Sequence, residues 1–275
     1  LQEAHRTSDC PLRQVHLAQA GEAFEGARVI APSDPALLVG LARRWRDQMT
    51  LEGERGRSSE QAFQALEGAC EALRRLDPSG ASAPTFLAAG LVERGRNRAL
   101  FRKPPEPLYR QALATVEGLP PEAETTLVRA RILTSLAGVA IERGQPALPL
   151  LQEATQQAEL ALGLVPRNLR AFALRWELAS LTFEVRQRAG EATEGPLADL
   201  LRLVEDAPSR GVPADQAQAL LGYARYHQGD HELGHGVDPR PALEASVLAF
   251  RRALALNPAQ ALHYDGLGNS LWDLG

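Results

Sequence analysis

Six prolines mark time along this chain. Pro32, Pro78, Pro120, Pro166, Pro213 and Pro258 are separated by 46, 42, 46, 47 and 45 residues. A series of unrelated loops does not keep such a step. The same phrase precedes several of them: Ala20, Phe24, Ala27 and Pro32 recur as Ser246, Phe250, Ala253 and Pro258, and more loosely as Ala154, Ala158, Ala161 and Pro166. Small residues let two helices approach closely, an aromatic fills the space between units, and proline stops the helix because it has no N–H and clashes with the preceding turn. Self-similarity at this period is the signature of a modular array of supersecondary units.

Within each step lie two helical patterns. The opening one shows apolar spacings of three and four, as in Leu38, Leu41, Ala42 and Trp45, or Leu87, Ala88 and Leu91, or Leu136, Ala137 and Ala140, or Leu267, Gly268 and Leu271. The closing one ends at proline. Sustained alternation of period two is absent, and the segments are rich in Ala, Leu, Arg, Gln and Glu, so the expected class is all-α, with about twelve helices and no sheet. Gly/Pro punctuation at Gly95 to Pro107, Gly144 to Pro146, Gly190 to Pro196 and Gly229 to Pro241 is expected to separate each opening helix from its partner. No linker divides the sequence, so residues 1–275 read as one solenoid domain. The chain begins at Leu1, has its only methionine at Met49, and stops at Gly275 within a helical pattern, which reads as an excised piece of a longer polypeptide.

The opening and closing patterns resemble tetratricopeptide repeats, whose hairpins carry an aromatic, Leu-Gly and Tyr, then Ala, Phe, Ala and Pro. Tyr264, Leu267, Gly268 and Gly275 give the best opening match, just after the best closing match at Phe250 to Pro258. The resemblance implies a right-handed superhelix of stacked hairpins. The departure is length, because the family's step is 34 residues against about 45 here; residues 168–212 match poorly. The segment from Gly236 to Pro258 looks like the long-step repeats carboxy-terminal to the catalytic domain of bacterial, notably myxobacterial, serine/threonine kinases. No Gly-rich phosphate loop, His-Arg-Asp triplet or Asp-Phe-Gly is present, so this chain itself reads as non-enzymatic.

Function is therefore expected to be polypeptide binding in a concave groove, as the recruitment or regulatory region of such a kinase. In hairpins of this type the opening helices line the groove. Their phase puts Arg43 and Arg46 at one end, where guanidinium groups fork onto carboxylate or phosphate. It puts Tyr223, Tyr226, Asn269 and Trp272 at the other, where flat rings supply contact area at low entropic cost. The Lys/Asn carboxylate clamp of some tetratricopeptide proteins is unsupported, since Lys103 is the only lysine and falls in an insert. The final segment, Ala261 to Leu274, is an opening helix lacking a closing partner, so Tyr264, Leu267 and Leu271 are expected to be incompletely covered and to promote self-association.

Two rival functions are carried by other features. His231-Glu232-Leu233-Gly234-His235 matches the H-E-x-x-H of zinc metallopeptidases, with Glu232 as general base. The metzincin extension fails, because Pro241 stands six residues after His235. Glu244 is explained by the closing helix, and Gly229, Gly234 and Gly236 weaken the supporting one. The segment is expected to be a solvated helix end holding no metal; a metal found there would be assigned to His227, His231 and His235, four residues apart. The second rival is an effector-sensing arm of a transcriptional regulator or signalling ATPase.

Composition narrows partners and compartment. The net charge of −4 offers no general positive field for nucleic-acid phosphates or an anionic membrane. No apolar run approaches the ~18 residues of a membrane span, and no signal-peptide pattern opens the chain. Cys10 and Cys70 are too few for a disulfide framework and read as buried or incidental thiols, which points to the reducing cytoplasm. Phe172, Trp176, Ala179 and Phe183 lie at helical spacing and read as core, with no cofactor implied.

Overall fold

A computed structural model describes residues 10–275. The described residues form twelve α-helices and no strand: α1 (Cys10–Ile30), α2 (Pro35–Glu54), α3 (Glu60–Leu76), α4 (Ser82–Leu100), α5 (Glu106–Val116), α6 (Ala123–Glu142), α7 (Leu148–Leu164), α8 (Leu169–Ala189), α9 (Glu194–Arg210), α10 (Ala214–Gly234), α11 (Arg240–Leu256) and α12 (Ala261–Leu274). All six phasing prolines fall just after a closing helix, behind α1, α3, α5, α7, α9 and α11. The long step comes from the opening helices, which run 19 to 21 residues in α2, α4, α6, α8 and α10. At 1.5 Å per residue each is about 30 Å long.

Helix ends follow local chemistry. Asp34 Oδ1 accepts from the Ala36 N–H at 2.8 Å with Pro35 in the first turn of α2. Asn168 Oδ1 does the same for Arg170 and Ala171 at the start of α8, a cap worth about 1 kcal/mol. Gly190 and Gly211 end α8 and α9 with φ of 68° and 83°, a conformation that a side chain disfavours.

Two punctuation assignments need correction. Gly95 and Gly229 were expected in inserts, yet both lie inside helices, α4 and α10, because their missing side chains make room for neighbours. A Cβ at Gly95 would run into the Tyr109 ring, and one at Gly229 would stand 2.9 Å from the Leu243 side chain. The same relation recurs. Phe24 closes on Gly40, and Phe250 on both Gly222 and Gly266. The aromatic of a closing helix thus seats on a glycine of an opening helix, which is the physical content of the repeated phrase.

Contacts group the chain into two compact units, Leu1–Gln145 and Pro146–Gly275. In the first, successive helices pack as hairpins and the opening helices α2, α4 and α6 also touch in succession. Its core includes Met49, Phe63, Leu66, Phe86, Leu91, Tyr109 and Ile132. Burying each large side chain contributes about 1.5–3 kcal/mol. In the second, α10 packs on α11 and α12 around Phe250, which is fully buried with Ala219, Ala253, Tyr223 and Leu267 against it. The Ser246 hydroxyl donates to the Gly222 carbonyl at 2.7 Å and lies 2.8 Å from that of Ser270, so the small residue of the phrase also ties three helices by hydrogen bonds.

Candidate functional site

Of the two arginines placed on the groove face of the first unit, Arg46 is turned inward and Arg43 is not, and the opening helix α4 beside them presents a packed surface. Thr85, Ala89 and Val92 of α4 are buried, and Thr85 Oγ1 lies 3.1 Å from Thr125 Oγ1 of α6. Arg46 is 7% exposed and bonds Asp47 at 3.1 Å and Glu124, across on α6, at 3.2 Å. Its guanidinium therefore closes the face between α2 and α6. Arg43 remains exposed, with its guanidinium 6.0 Å from the Phe86 ring centroid.

In the second unit the aromatic face is laid across α10 and α12. Tyr223 stacks edge-on against Phe250 at 4.8 Å and its hydroxyl donates to the Leu262 carbonyl. The Tyr226 hydroxyl donates to Asp273 Oδ2 at 2.7 Å. Burial, then the bond to Asp273, then nearby carboxylates push its pKa up, so it stays protonated. Asn269 is exposed, and Trp272 is 85% exposed, the largest apolar surface on α12. Leu262, Tyr264 and Leu271 are exposed beside it, while Leu267 turns in against Phe250. The expected incomplete cover of α12 thus applies to Tyr264 and Leu271 and not to Leu267.

The histidine stripe divides. His227 is 6% exposed, its Nε2 lies 2.7 Å from Ser180 Oγ of α8, and its ring sits 4.8 Å from that of Phe183. Burial lowers its pKa to about 4, so it is a neutral core histidine and not a third ligand. His231 and His235 go elsewhere. Despite Gly229 and Gly234, α10 continues to Gly234, which places the two rings on one face with centroids 4.2 Å apart. The residue joining them is Glu194, in the first turn of α9: donor atoms of Glu194, His231 and His235 lie within 4.8 Å of one another. Nothing in the sequence pointed to Glu194, which stands 37 positions before His231; only the return of α10 alongside α9 brings it close.

Sequence patterning also passed over Arg175 of α8. It is 4% exposed, bonds Glu159 of α7 at 3.0 Å, and pairs with Asp199 of α9. The Phe172, Trp176, Ala179 and Phe183 stripe is buried as core. Cys70 is buried too, and burial followed by Glu67 pushes its thiol up to about 12; the Cys10 side chain lies outside the described residues. No described helix is long and apolar enough to cross a membrane. Compared with known proteins, the chain matches no family model and no curated relative.

Proposed function

We propose that this chain is a helical-hairpin module that binds polypeptide, with the α10–α12 face of Tyr223, Tyr226, Asn269 and Trp272 as its principal contact surface. The observation that carries this reading is Trp272. An indole 85% exposed on a helix whose neighbours Leu262, Tyr264 and Leu271 also meet solvent is an anchor of the kind that dominates polypeptide interfaces. Tyr223 and Tyr226 are already held by their hydroxyl bonds, so ordering them on binding costs little entropy. Arg43 supplies a cation for an acidic ligand on the first unit, whereas Arg46 is consumed internally. Following the resemblance to long-step repeats, the parent would be a bacterial serine/threonine kinase that uses this segment to recruit substrates or regulators.

Selection from a random displayed peptide library tests this. Enriched peptides should bind by fluorescence anisotropy, and Trp272→Ala or Asn269→Ala should weaken them at least tenfold without altering the far-UV circular dichroism. No enrichment, or affinities indifferent to both substitutions, would overturn the reading.

The metallopeptidase alternative draws on His231 and His235, and Glu232 weakens it. Its carboxylate accepts from Gln228 Nε2 at 2.7 Å, one turn back along α10, so it is not aimed forward as a base for a metal-bound water. Metal-dependent peptide hydrolysis lost in Glu232→Gln would reinstate that alternative.

A further inference from the structure

We propose that Glu194, His231 and His235 bind one divalent transition-metal ion, zinc by the chemistry of the donors, as a clasp between the start of α9 and the end of α10. The donors are two imidazoles and one carboxylate, a set that suits zinc and its late first-row neighbours and does not suit magnesium or calcium. Three features make this more than a chance pair of histidines one turn apart.

The first is that the tautomer is set. His235 Nδ1 lies 2.8 Å from the His231 carbonyl oxygen, which can only accept, so in the neutral ring, the form that binds metal, Nδ1 carries the proton and Nε2 presents its lone pair. The second is direction: that same Nε2 faces Glu194 Oε1 at 3.8 Å. The third is support behind His231, whose Nδ1 is 2.7 Å from the hydroxyl of Thr193, a side chain 4% exposed and adjacent to Glu194. Histidines that ligate metal characteristically have their other ring nitrogen engaged in this way, which fixes the ring against rotation. Here one element, the turn entering α9, supplies both the supporting hydroxyl and the third ligand.

Four-coordinate zinc with bonds of ~2.0–2.1 Å holds its ligand atoms about 3.4 Å apart. The donors lie within 4.8 Å of one another, so closure brings them together by at most about 1.4 Å, within reach of side-chain rotation. Glu194 and His235 have that freedom, with side chains 63% and 53% exposed. The fourth position is left to water or to a ligand from a bound partner. The role is structural: the ion joins the turn after α8 to the last turn of α10.

Tag-free protein, freed of metal with chelator, is titrated with Zn²⁺ against a colorimetric competitor, and with Co²⁺ to record the visible bands of a four-coordinate site. The expected result is one ion per chain. Affinity should fall at least tenfold in Glu194→Gln and in His231→Asn or His235→Asn, and should stay within twofold in Glu191→Gln, an exposed carboxylate on the same turn. Zinc should raise the thermal midpoint of the wild type and not of the ligand variants, whose fold is checked by circular dichroism. Absence of a stoichiometric site overturns the proposal. So does unchanged affinity in Glu194→Gln, which would mean an adventitious histidine pair only, and so does an equal loss in Glu191→Gln, which would mean diffuse charge. The inference is independent of peptide binding, and either can fail alone.

Discussion

Acidification should expose what His227 contributes. Its ring is enclosed by Ser180, Phe183 and Tyr226, and Nδ1 is buried without a hydrogen-bond partner. A positive charge there would meet no carboxylate and little water, which holds the folded pKa near 4 against about 6.5 in the unfolded chain. Between these values the unfolded state binds the proton and the folded state does not, so stability is intact above pH 6.5 and is lost as pH falls toward 4. At pH 4.5 the loss is about 2.5 kcal/mol relative to pH 7.5, taking 1.36 kcal/mol per pKa unit. Asp230 acts in the opposite sense. Burial, then Asp273 and Glu184, raise its pKa to about 6, so the folded state holds its proton more tightly and acidification through pH 6 favours folding. Its half-exposed carboxyl is screened, and its effect is the smaller. The two oppose each other over one pH range, so the informative quantity is a difference. Urea unfolding of wild type and His227→Gln, which retains a partner for Ser180, should give stabilities that converge by about 2.5 kcal/mol between pH 7.5 and 4.5. The histidine Cε1–H resonance should not titrate above pH 5. Parallel pH profiles, or a resonance titrating near 6.5, would refute the reasoning.

Other outcomes follow from the same packing. Gly95→Ala gains helix propensity but drives a Cβ into the Tyr109 ring, so chemical unfolding should show a net loss of about 1–2 kcal/mol, relieved by Tyr109→Leu in a double-mutant cycle. Phe250→Ala, emptying a fully buried site between Gly222 and Gly266, should cost about 3–5 kcal/mol in the second unit. Arg175→Met should change stability by no more than about 1 kcal/mol, because Glu159 and Asp199 can reach water. The Glu159→Gln/Asp199→Asn double variant should cost about 3 kcal/mol or more, because the buried guanidinium then has no counter-charge. In a Cys10→Ser background, Cys70 should resist a thiol-specific chromogenic reagent until denaturant unfolds its helix, given a pKa of about 12.

Much of the architecture was readable because its cause is periodic. A proline after each closing helix and an apolar stripe at three-and-four spacing are local properties, and they sufficed to indicate an all-α chain of about twelve helices. The errors were glycines. Gly95 and Gly229 looked like breaks because propensity is counted along one helix, whereas their purpose is to admit Tyr109 and Leu243 from another. The candidate surface divides the same way. Trp272 and Asn269 could be placed outward by helical phase alone, but the burial of Arg46 depends on Glu124, 78 positions away. His231 and His235 were visible as a motif, whereas Glu194 and Thr193 join them only through the fold. His227 shares their spacing yet its ring meets Ser180 and Phe183 of α8 one turn earlier.

The most direct measurement is hydrogen exchange on the full chain with and without a selected peptide. Polypeptide binding to the opening-helix face predicts added protection at the amides of α10 and α12 around Tyr223, Tyr226 and Trp272, with the closing helix α11 unchanged. Protection confined to α11, or none at saturating peptide, would contradict the account.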